Sequence, residues 1–524
     1  MSTDSYDAVV LGGGHNGLVA AAYLARAGRT VLLLERRDGL GGAAVSGQLF
    51  PSVGARISRY SYLVSLLPRL IVDELGLDVR LARRRVSSYT PDPRAGCVRG
   101  LLVDSGDVEA TRASFAAITG SQRAWPRWLE LSSLLARAAR RLFPTLVEPL
   151  RSRAHLRALL DDEQAWEILF ERPIAETLSE RLQDDLLVGL AWTDALIGMF
   201  APAEDPGLRQ NRCFLYHVIG GGTGEWRVPV GGMGRLAGEL ERAARTAGAR
   251  LLTGARAVRV EPARDGADVV YEHAGETRRV RAGHLLVNAA PAVLEALLGN
   301  APAGEGEAPE GSQLKLNMLL ARLPRLCAPG LEAERAFAGT FHVNEGAGQL
   351  RRAFEQARSG AIPEPAPCEL YCHSLTDPSV LEPSLRATGA HTLTAFALHM
   401  PARLFRADPQ GTRAAAQRAL LRSLDGVLAE PIADCLLRDP AGEPCIEAHS
   451  PLDIEAELAM PGGHIFHRDL RWPFAEDERE VGRWGVETEH PRVLLCGAGA
   501  RRGGGVSGIP GRNAAMAVLG RGAR

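Results

Sequence analysis

The chain has 524 residues, a formal net charge of -1 and ordinary proportions of hydrophobic (46%) and charged (23%) residues. This length is more than one hydrophobic core supports, so we expect two or three domains. The balanced charge excludes the basic surface that a nucleic-acid-binding protein requires, and no uninterrupted apolar run is long enough to span a membrane. A first strand that begins near Tyr6 leaves no room for a cleaved signal peptide, which favours a cytoplasmic protein.

The N-terminal segment predicts one strand–helix–strand unit. Residues 6–11 are apolar throughout, as in a parallel strand that is covered on both faces. Residues 18–27 predict a helix that ends at Gly28, and residues 30–34 predict a second strand. This order is that of a βαβ unit.

A glycine-rich turn joins the first strand to the helix, with the sequence Gly12-Gly13-Gly14-His15-Asn16-Gly17. In this context Gly12 permits a tight turn, Gly14 lets the backbone approach a pyrophosphate, and Gly17 allows close helix packing. The helix N-terminus then offers free N–H groups and the positive end of its dipole to the phosphate. Glu35 ends the second strand, where an acid can accept hydrogen bonds from ribose hydroxyls. The alternative is a glycine-rich turn without a nucleotide.

Two further features favour FAD over NAD in this turn. The glycine pair Gly41-Gly42 follows soon after Glu35 and gives the chain room to pass close to a dinucleotide, although a plain turn would have the same residues. At the far end of the chain, a strand over 492–496 leads through glycines to a helix over 513–519. Such an element would return to the first domain and cover the flavin end of the cofactor.

The middle of the chain is predicted to be helical from about residue 108 to 200. Its most apolar stretch, 186–200, is interrupted by Asp194 and predicts a buried helix. Residues 125–150 are amphipathic and arginine-rich. They predict either a helix of a substrate domain with a solvated basic face or a helix that docks on a membrane.

The later elements are mostly strands. A helix over 235–248 is followed by four predicted strands, at 250–261, 267–273, 277–282 and 285–288. A Pro/Gly/Glu-rich stretch at 300–312 predicts an exposed loop or linker. Residues 313–460 predict short strands and one helix, over 410–428, and this region contains Lys315, the only lysine of the chain.

Several segments together resemble the phytoene-desaturase-like flavoproteins, most closely the branch named after the vertebrate pyridine nucleotide-disulphide oxidoreductase domain-containing protein. They are GGGHNGLVAAAYLARAG, ERRDGLGGAAV, RYSYLVSLL, GEWRVPVGGMGRLAGELERAARTAGARL, LLVNAAP and CGAGARRGGGVSGIPGRNAA.

The resemblance implies an α/β fold with a discontinuous Rossmann-like FAD-binding domain of the glutathione-reductase/amine-oxidase type and an α+β substrate domain. The FAD-binding domain would comprise residues 1–85, 225–300 and 460–524, and the substrate domain 86–224 and 301–459. The resemblance also implies a set of FAD contacts, with Val258 beside the adenine and the last four residues near the flavin: Gly12, Gly14, His15, Asn16, Gly17, Glu35, Arg36, Gly41, Gly42, Ala43, Val258, Gly497, Gly505, Val506 and Gly508.

The chain departs from the family at Arg501-Arg502, where the family often has His-Pro. An arginine does not titrate near neutrality as a histidine does, so it would place a fixed positive charge near the flavin or would serve a structural partner elsewhere. We expect Arg501, a candidate catalytic residue, to face inward and Arg502 to face outward, because consecutive residues of an extended segment face opposite sides. Among the later histidines, which are His373, His399, His464 and His467, we expect His467 to face the site as a candidate catalytic residue, because it precedes the strand that leads to the C-terminal glycines. Asp469, two residues farther along, would orient this imidazole only if the segment is not helical, since i,i+2 neighbours do not face each other on a helix.

These features predict an FAD-dependent oxidoreductase that removes hydride from an apolar or amphipathic small molecule, by desaturation or oxidation. The alternatives are a flavin-dependent saturase or isomerase, and a flavin-bound interaction protein without turnover. The eight cysteines contain no C-x-x-C pair, so a disulfide reductase mechanism is not expected. We expect neither nucleic acid nor a metal as a partner, and a peripheral membrane contact stays open.

Overall fold

The computed structural model describes residues 4–301 and 308–520, so residues 302–307 of the predicted loop or linker lie outside the described residues. Two seven-stranded sheets organise the described chain, together with two small two-stranded pairs. The small pairs join Ser46–Gly47 to Ile57–Ser58 and Leu81–Ala82 to Val228–Pro229.

The first sheet joins strands from distant parts of the chain. Its strand order is Ala255–Ala263, Gly266–His273, Glu276–Val287, Asp4–Leu11, Val31–Leu34 and Arg250–Leu252, and Val493–Leu495 also pairs with Glu276–Val287. The central pairings are parallel, whereas the first three strands form an antiparallel meander. All four residues of Val31–Leu34 are buried, as expected for a parallel strand covered on both faces.

Three helices cover this sheet next to the glycine-rich turn. His15–Arg26 packs against both Met233–Thr246 and the C-terminal helix Ile509–Leu519. A Cβ at Gly511 would lie 2.0 Å from the Asn16 carbonyl oxygen, so only glycine allows the two helices to approach this closely. The two ends of the chain are thereby joined, as the sequence predicted.

The second sheet is mainly antiparallel. Its strand order is Ile446–His449, Leu314–Leu320, His391–Ala397, Cys368–Tyr371, Thr340–Val343, Ser88–Pro91 and Gly100–Val103, and the Ser88–Pro91 and Thr340–Val343 strands are parallel. Every residue of Leu314–Leu320 is buried because strands flank it on both edges and side chains cover both of its faces.

A helical layer forms the predicted middle of the chain. Its helices are Val108–Thr119, Ala124–Leu142, Arg153–Leu160, Glu163–Phe170, Ile174–Leu182, Asp185–Trp192 and Arg209–Val218. The other helices are Arg69–Leu75, Pro291–Leu297, Ala333–Ala336, Ala347–Arg358, His373–Thr376, Pro383–Ala387, Pro409–Asp425 and Pro451–Leu458. On Ala124–Leu142 the apolar positions Leu131, Leu134 and Leu142 are buried in a core, which favours the substrate-domain interpretation of this amphipathic segment. Among the described residues, no helix combines the length and the apolar character needed to cross a bilayer.

The predicted fold class is confirmed, with four local differences. The single strand expected at 250–261 is two strands, Arg250–Leu252 and Ala255–Ala263, because the chain turns at Gly254, which has φ +63°, and the two pieces lie at opposite ends of the sheet. The two strands expected at 277–282 and 285–288 are one strand, because Gly283 presents no side chain where the Asp7 carbonyl comes close. The apolar stretch at 186–200 is not one helix: Asp185–Trp192 ends in a short 3-10 turn that carries Asp194. Residues 313–460 contain several helices rather than one.

The expected domain segments can be compared with the two sheets. The strands of the first sheet fall within 1–85, 225–300 and 460–524, and those of the second within 86–224 and 301–459. The exact boundaries between the two domains stay a prediction.

Candidate functional site

The glycine-rich turn has the geometry of an anion-binding helix N-terminus. Gly12 has φ +98°, and a Cβ there would lie 3.0 Å from the Asn288 carbonyl oxygen. A Cβ at Gly17 would lie 2.1 Å from the Gly12 carbonyl oxygen, so the third glycine lets the helix pack on the turn. The helix begins at His15, and no side chain caps its N-terminus. Its first N–H groups are thus available to a phosphate.

The second glycine pair lies directly on this turn. The Gly41 N–H donates to the Gly13 carbonyl oxygen at 2.8 Å, with Gly41 at φ +114°. A Cβ at Gly42 would lie 3.0 Å from Gly14 Cα. The two segments can approach each other this closely because Gly14 and Gly42 both lack a side chain. The space that side chains would fill is left for a dinucleotide.

Glu35 is buried beside the turn. Its Oε2 accepts from the Gly13 N–H at 2.7 Å and its Oε1 from the Arg37 N–H at 2.9 Å. Each carboxylate oxygen keeps a second lone pair that can accept from a ribose hydroxyl. Arg36 is directed elsewhere, since its guanidinium donates to the Glu457 carbonyl oxygen at 2.7 Å. A cofactor contact by Arg36 therefore stays a prediction without support from this geometry.

Val258 occupies the irregular position of its strand. The pairing register of Ala255–Ala263 with Gly266–His273 shifts between Ala257 and Arg259, so Val258 is the unpaired residue of a β-bulge. A bulge leaves backbone N–H and C=O groups outside the ladder. This geometry suits the contact with adenine that the resemblance implies.

The C-terminal glycines meet the turn from the other side. A Cβ at Gly497 would lie 3.0 Å from Asn288 Oδ1, and one at Gly508, which has φ +72°, would lie 3.1 Å from Val19 on the first helix. Gly505 and Val506 lie farther along and line the large cavity described below. The structure thus brings six of the predicted contacts together around the first glycine-rich turn: Gly12, Gly14, Gly17, Gly41, Gly42 and Gly497.

Asn288 was missed as an individual residue, although its segment LLVNAAP was recognised. Its Nδ2 donates to the Gly12 carbonyl oxygen at 3.1 Å, and its side chain lies where side chains at Gly14, Gly17 and Gly497 would be. An amide at the end of a central parallel strand, directly after buried apolar residues, is the signal that could have identified it.

Buried polar atoms without partners surround the turn. In the described structure, Asn16 Oδ1, His15 Nε2 and His467 Nδ1 have no hydrogen-bond partner. Burial lowers the pKa of His15 and of His467 to about 4, so both imidazoles are neutral near pH 7. Unpaired buried polar groups are costly, so a polar group bound here would satisfy them. The residues present therefore fit a dinucleotide cofactor.

A cavity of about 470 Å³ adjoins this site. Ala43, Gly505 and Val506 line it on the cofactor side. Much of the remaining wall is apolar, and it includes Leu63, Leu131, Leu135, Leu190, Phe214 and Phe396. The volume lies in the range of small-molecule sites, and such sites are mostly apolar with few polar groups.

Lys315 is a buried cation in the cavity wall, and sequence reasoning singled it out only as the one lysine. Its Nζ donates to the carbonyl oxygens of Ser58, Arg59 and Tyr60 at 3.0, 2.7 and 2.6 Å and lies 4.8 Å from the centre of the Tyr62 ring. Burial lowers the pKa of Lys315 well below its ordinary value. The three carbonyl oxygens match the three ammonium protons one for one, so we assign the charged form.

Arg501 and Arg502, at which the sequence departs from the family pattern, are both buried. The expectation that Arg502 faces outward is therefore wrong. Arg501 binds Glu476 and Glu480, each at 2.6 Å, and Arg502 donates to the Trp484 carbonyl oxygen at 2.5 Å. The segment turns at Arg502, which has φ +64°, so the alternation of an extended chain does not apply. Neither side chain lines the large cavity. A catalytic role for Arg501 stays a prediction, and its ion pairs favour a structural one.

The four later histidines that the sequence analysis singled out lie in different parts of the structure. His467 lies beside the C-terminal glycine element, since a Cβ at Gly499 would lie 3.4 Å from His467 Cβ, and outside the lining of the large cavity, so its catalytic role stays a prediction. Asp469 contacts His464 at 3.4 Å rather than His467. His373 stacks on Tyr371 with ring centres 6.0 Å apart, and His399 is buried between Phe200 and Phe354.

Comparison with known proteins identifies the family to which the chain belongs. A family model described as flavin-containing amine oxidoreductase matches residues 17–424, which is more than half of the chain. An uncharacterized protein of Mycobacterium tuberculosis is 49% identical over 528 residues, covering 98% of this chain and 97% of its own. The mouse pyridine nucleotide-disulfide oxidoreductase domain-containing protein 2 is 31% identical over 564 residues, covering 98% and 93%. The predicted resemblance to this branch is confirmed.

Two more distant similarities complete the comparison. A hydroxyneurosporene desaturase of Cereibacter sphaeroides is 29% identical over 317 residues, covering 56% of this chain and 58% of its own. Among solved structures, a triple mutant of putrescine oxidase matches with a TM-score of 0.59 at 18% identity, covering 99% of this chain and all (100%) of its own. At that identity the match shows the fold.

Proposed function

Because the chain belongs to the family of flavin-containing amine oxidoreductases, we propose that it uses FAD to remove hydride from an apolar or amphipathic small molecule held in the 470 Å³ cavity. The observation that carries this proposal is the position of the cavity. Gly505 and Val506 follow the glycine element of the cofactor site and also line the cavity. A molecule bound there would lie beside the flavin end of the cofactor.

The names of two relatives indicate the range of substrates. One is named for desaturating hydroxyneurosporene, and the other for oxidising putrescine. The cavity of this chain has an apolar wall that suits the first and acidic side chains that suit the second. We therefore favour an amphipathic substrate over a purely apolar one.

The bound FAD supplies the hydride acceptor. The chain supplies binding and orientation: the apolar wall holds the substrate and excludes water, and Lys315 fixes the backbone of residues 58–60 beside it. A substrate that loses hydride also has to lose a proton to give a neutral double bond. Burial and the nearby Glu345 raise the pKa of Glu369 to about 7, so a Glu369 carboxylate oxygen can accept that proton near neutral pH.

The test is an anaerobic screen of amphipathic and apolar compounds in which bleaching of the visible flavin band reports reduction. A variant that fills the cavity makes the test specific: Leu135→Trp places an indole in the wall, while the matched control Leu129→Trp lies on the same helix at a position that is 43% exposed. We expect a compound that bleaches the wild type and Leu129→Trp but not Leu135→Trp, with FAD retained in all three. Equal bleaching in all three proteins would mean that the cavity is not the substrate site.

A further inference from the structure

A second, smaller pocket lies beside the strand Val493–Leu495. Its volume is about 100 Å³, and it shares no lining residue with the large cavity or with the glycine-rich turn. One water needs roughly 10–15 Å³ of such space, whereas small-molecule sites begin at about 300 Å³. The pocket therefore has room for an ion of a few heavy atoms, at a place that neither the predicted cofactor nor the proposed substrate occupies.

Arginine dominates the lining of this pocket, which we call the arginine pocket. Four guanidinium groups and two carboxylates line it: Arg468, Arg471, Arg483, Arg501, Glu480 and Glu487. Glu476 lies nearby and pairs with Arg501. Even with this third acid included, four positive charges face three negative ones, so the pocket keeps an excess of one positive charge.

The two acids of the lining already have their partners. One oxygen of Glu480 accepts from Arg501 at 2.6 Å, and the other accepts from a backbone N–H at 2.9 Å. Both oxygens of Glu487 accept from backbone N–H groups at 3.0 Å. The nearest approach of Arg483 to Glu487 is 3.8 Å, which is beyond hydrogen-bond distance. These carboxylates therefore leave the remaining arginines of the pocket without an acceptor.

Arg468 is the cation with the least compensation. In the described structure its guanidinium makes neither a hydrogen bond nor an ion pair, and its Nε is buried without a partner. Burial and the positive charges of Arg471 and Arg501 lower the pKa of Arg468 to about 10, so the group is still charged near pH 7. An unsatisfied buried donor and an unpaired buried charge are both costly. Water can accept the N–H groups, but only an anion also offsets the charge.

We propose that the arginine pocket binds a phosphate group, with Arg468 as its main ligand and Arg471 and Arg483 on either side. A guanidinium presents paired N–H groups that match phosphate oxygens, and a phosphate can accept from several directions at once. Arg471 has donors to spare, because only its Nη2 reaches an acid. The phosphate would join residues 468–471 to residues 483–487, beside the strand that leads to Gly497.

Isothermal titration calorimetry of the FAD-loaded protein, at constant ionic strength, tests the proposal with inorganic phosphate, glycerol 3-phosphate and chloride. We expect one phosphate per chain, bound at least tenfold more tightly than chloride. Arg468→Gln should weaken phosphate binding at least tenfold. Arg483→Gln should weaken it several-fold, and this side chain is half-exposed, so its loss leaves the packing intact.

The matched control is Arg479→Gln, which removes the same charge from the same part of the chain. The Arg479 side chain is 87% exposed, pairs with Asp477 and lies outside the pocket, so this variant should keep the wild-type affinity for phosphate.

The two phosphate probes identify the source of the group. Equal binding of both would show that the pocket accepts a phosphate monoester, and binding of inorganic phosphate alone would show that it holds the free anion; either result supports the proposal. Three outcomes would overturn it: no saturable binding of phosphate, chloride binding as tight as phosphate, and phosphate affinity that is unchanged in both Arg468→Gln and Arg483→Gln. Because calorimetry does not depend on flavin reduction, these outcomes are independent of the proposed function.

Discussion

Replacement of Lys315 by methionine tests how the cavity wall is held. Methionine has a similar length but no donor, so the carbonyl oxygens of Ser58, Arg59 and Tyr60 lose their shared ammonium. The Arg59 carbonyl keeps a hydrogen bond from Asn317 Nδ2 at 3.1 Å, whereas no other donor reaches the Tyr60 carbonyl in the described structure. At least the Tyr60 carbonyl is thus left unsatisfied, at a cost of about 1–3 kcal/mol.

Hydrogen exchange measures this cost locally, which matters because a chain of this length need not unfold in one step. The Arg59 and Ser61 amides donate to Val45 and Ala43, so their exchange reports opening of the segment. A loss of about 1–3 kcal/mol corresponds to exchange that is roughly 5- to 160-fold faster in peptides covering residues 58–62. Leu316→Met, at the next position of the same strand, is the matched control and should leave these peptides unchanged. Unchanged exchange in a folded, FAD-loaded Lys315→Met protein would refute the reasoning.

Two other predictions follow from the site. NADH and NADPH should not reduce the flavin rapidly, because the described residues provide one glycine-rich nucleotide turn and all eight cysteines are free. Stopped-flow mixing with either nucleotide checks this prediction. Flavin reduction at the turnover rate would contradict it. Arg501→Ala should shift the flavin midpoint potential by less than about 30 mV, because Glu476 and Glu480 already pair with the guanidinium. Redox titration of the variant measures this shift. A larger fall in the potential would support the catalytic role inferred from the sequence.

The cofactor site was predictable because its requirements are local. Gly12, Gly14 and Gly17 lie within one turn, and their spacing follows from the close approach of a helix, a strand and a pyrophosphate. The return of the C-terminal glycines was predictable from the apolar residues around them, which require burial. The placement of Gly511 against the first helix confirms that interpretation.

The acidic side chains in and beside the cavity were not predictable, because nothing in the sequence shows which distant segments meet. Asp194 appeared only as an interruption of an apolar stretch, and Glu345 and Glu369 have no local pattern. Their proximity depends on the pairing of Thr340–Val343 with Cys368–Tyr371. The error at Arg502 has a different cause: a residue with positive φ reverses the chain, and sequence alone did not reveal the turn.

The most direct test of the account is the FAD content of the purified protein, measured by flavin absorbance after denaturation and by protein concentration. The account predicts one FAD per chain in the wild type. It predicts loss of FAD in Gly14→Leu, because a side chain there would fill the space between Asn288 and Gly42 that the pyrophosphate requires. A wild-type protein that is colourless and takes up no FAD on reconstitution would contradict the account.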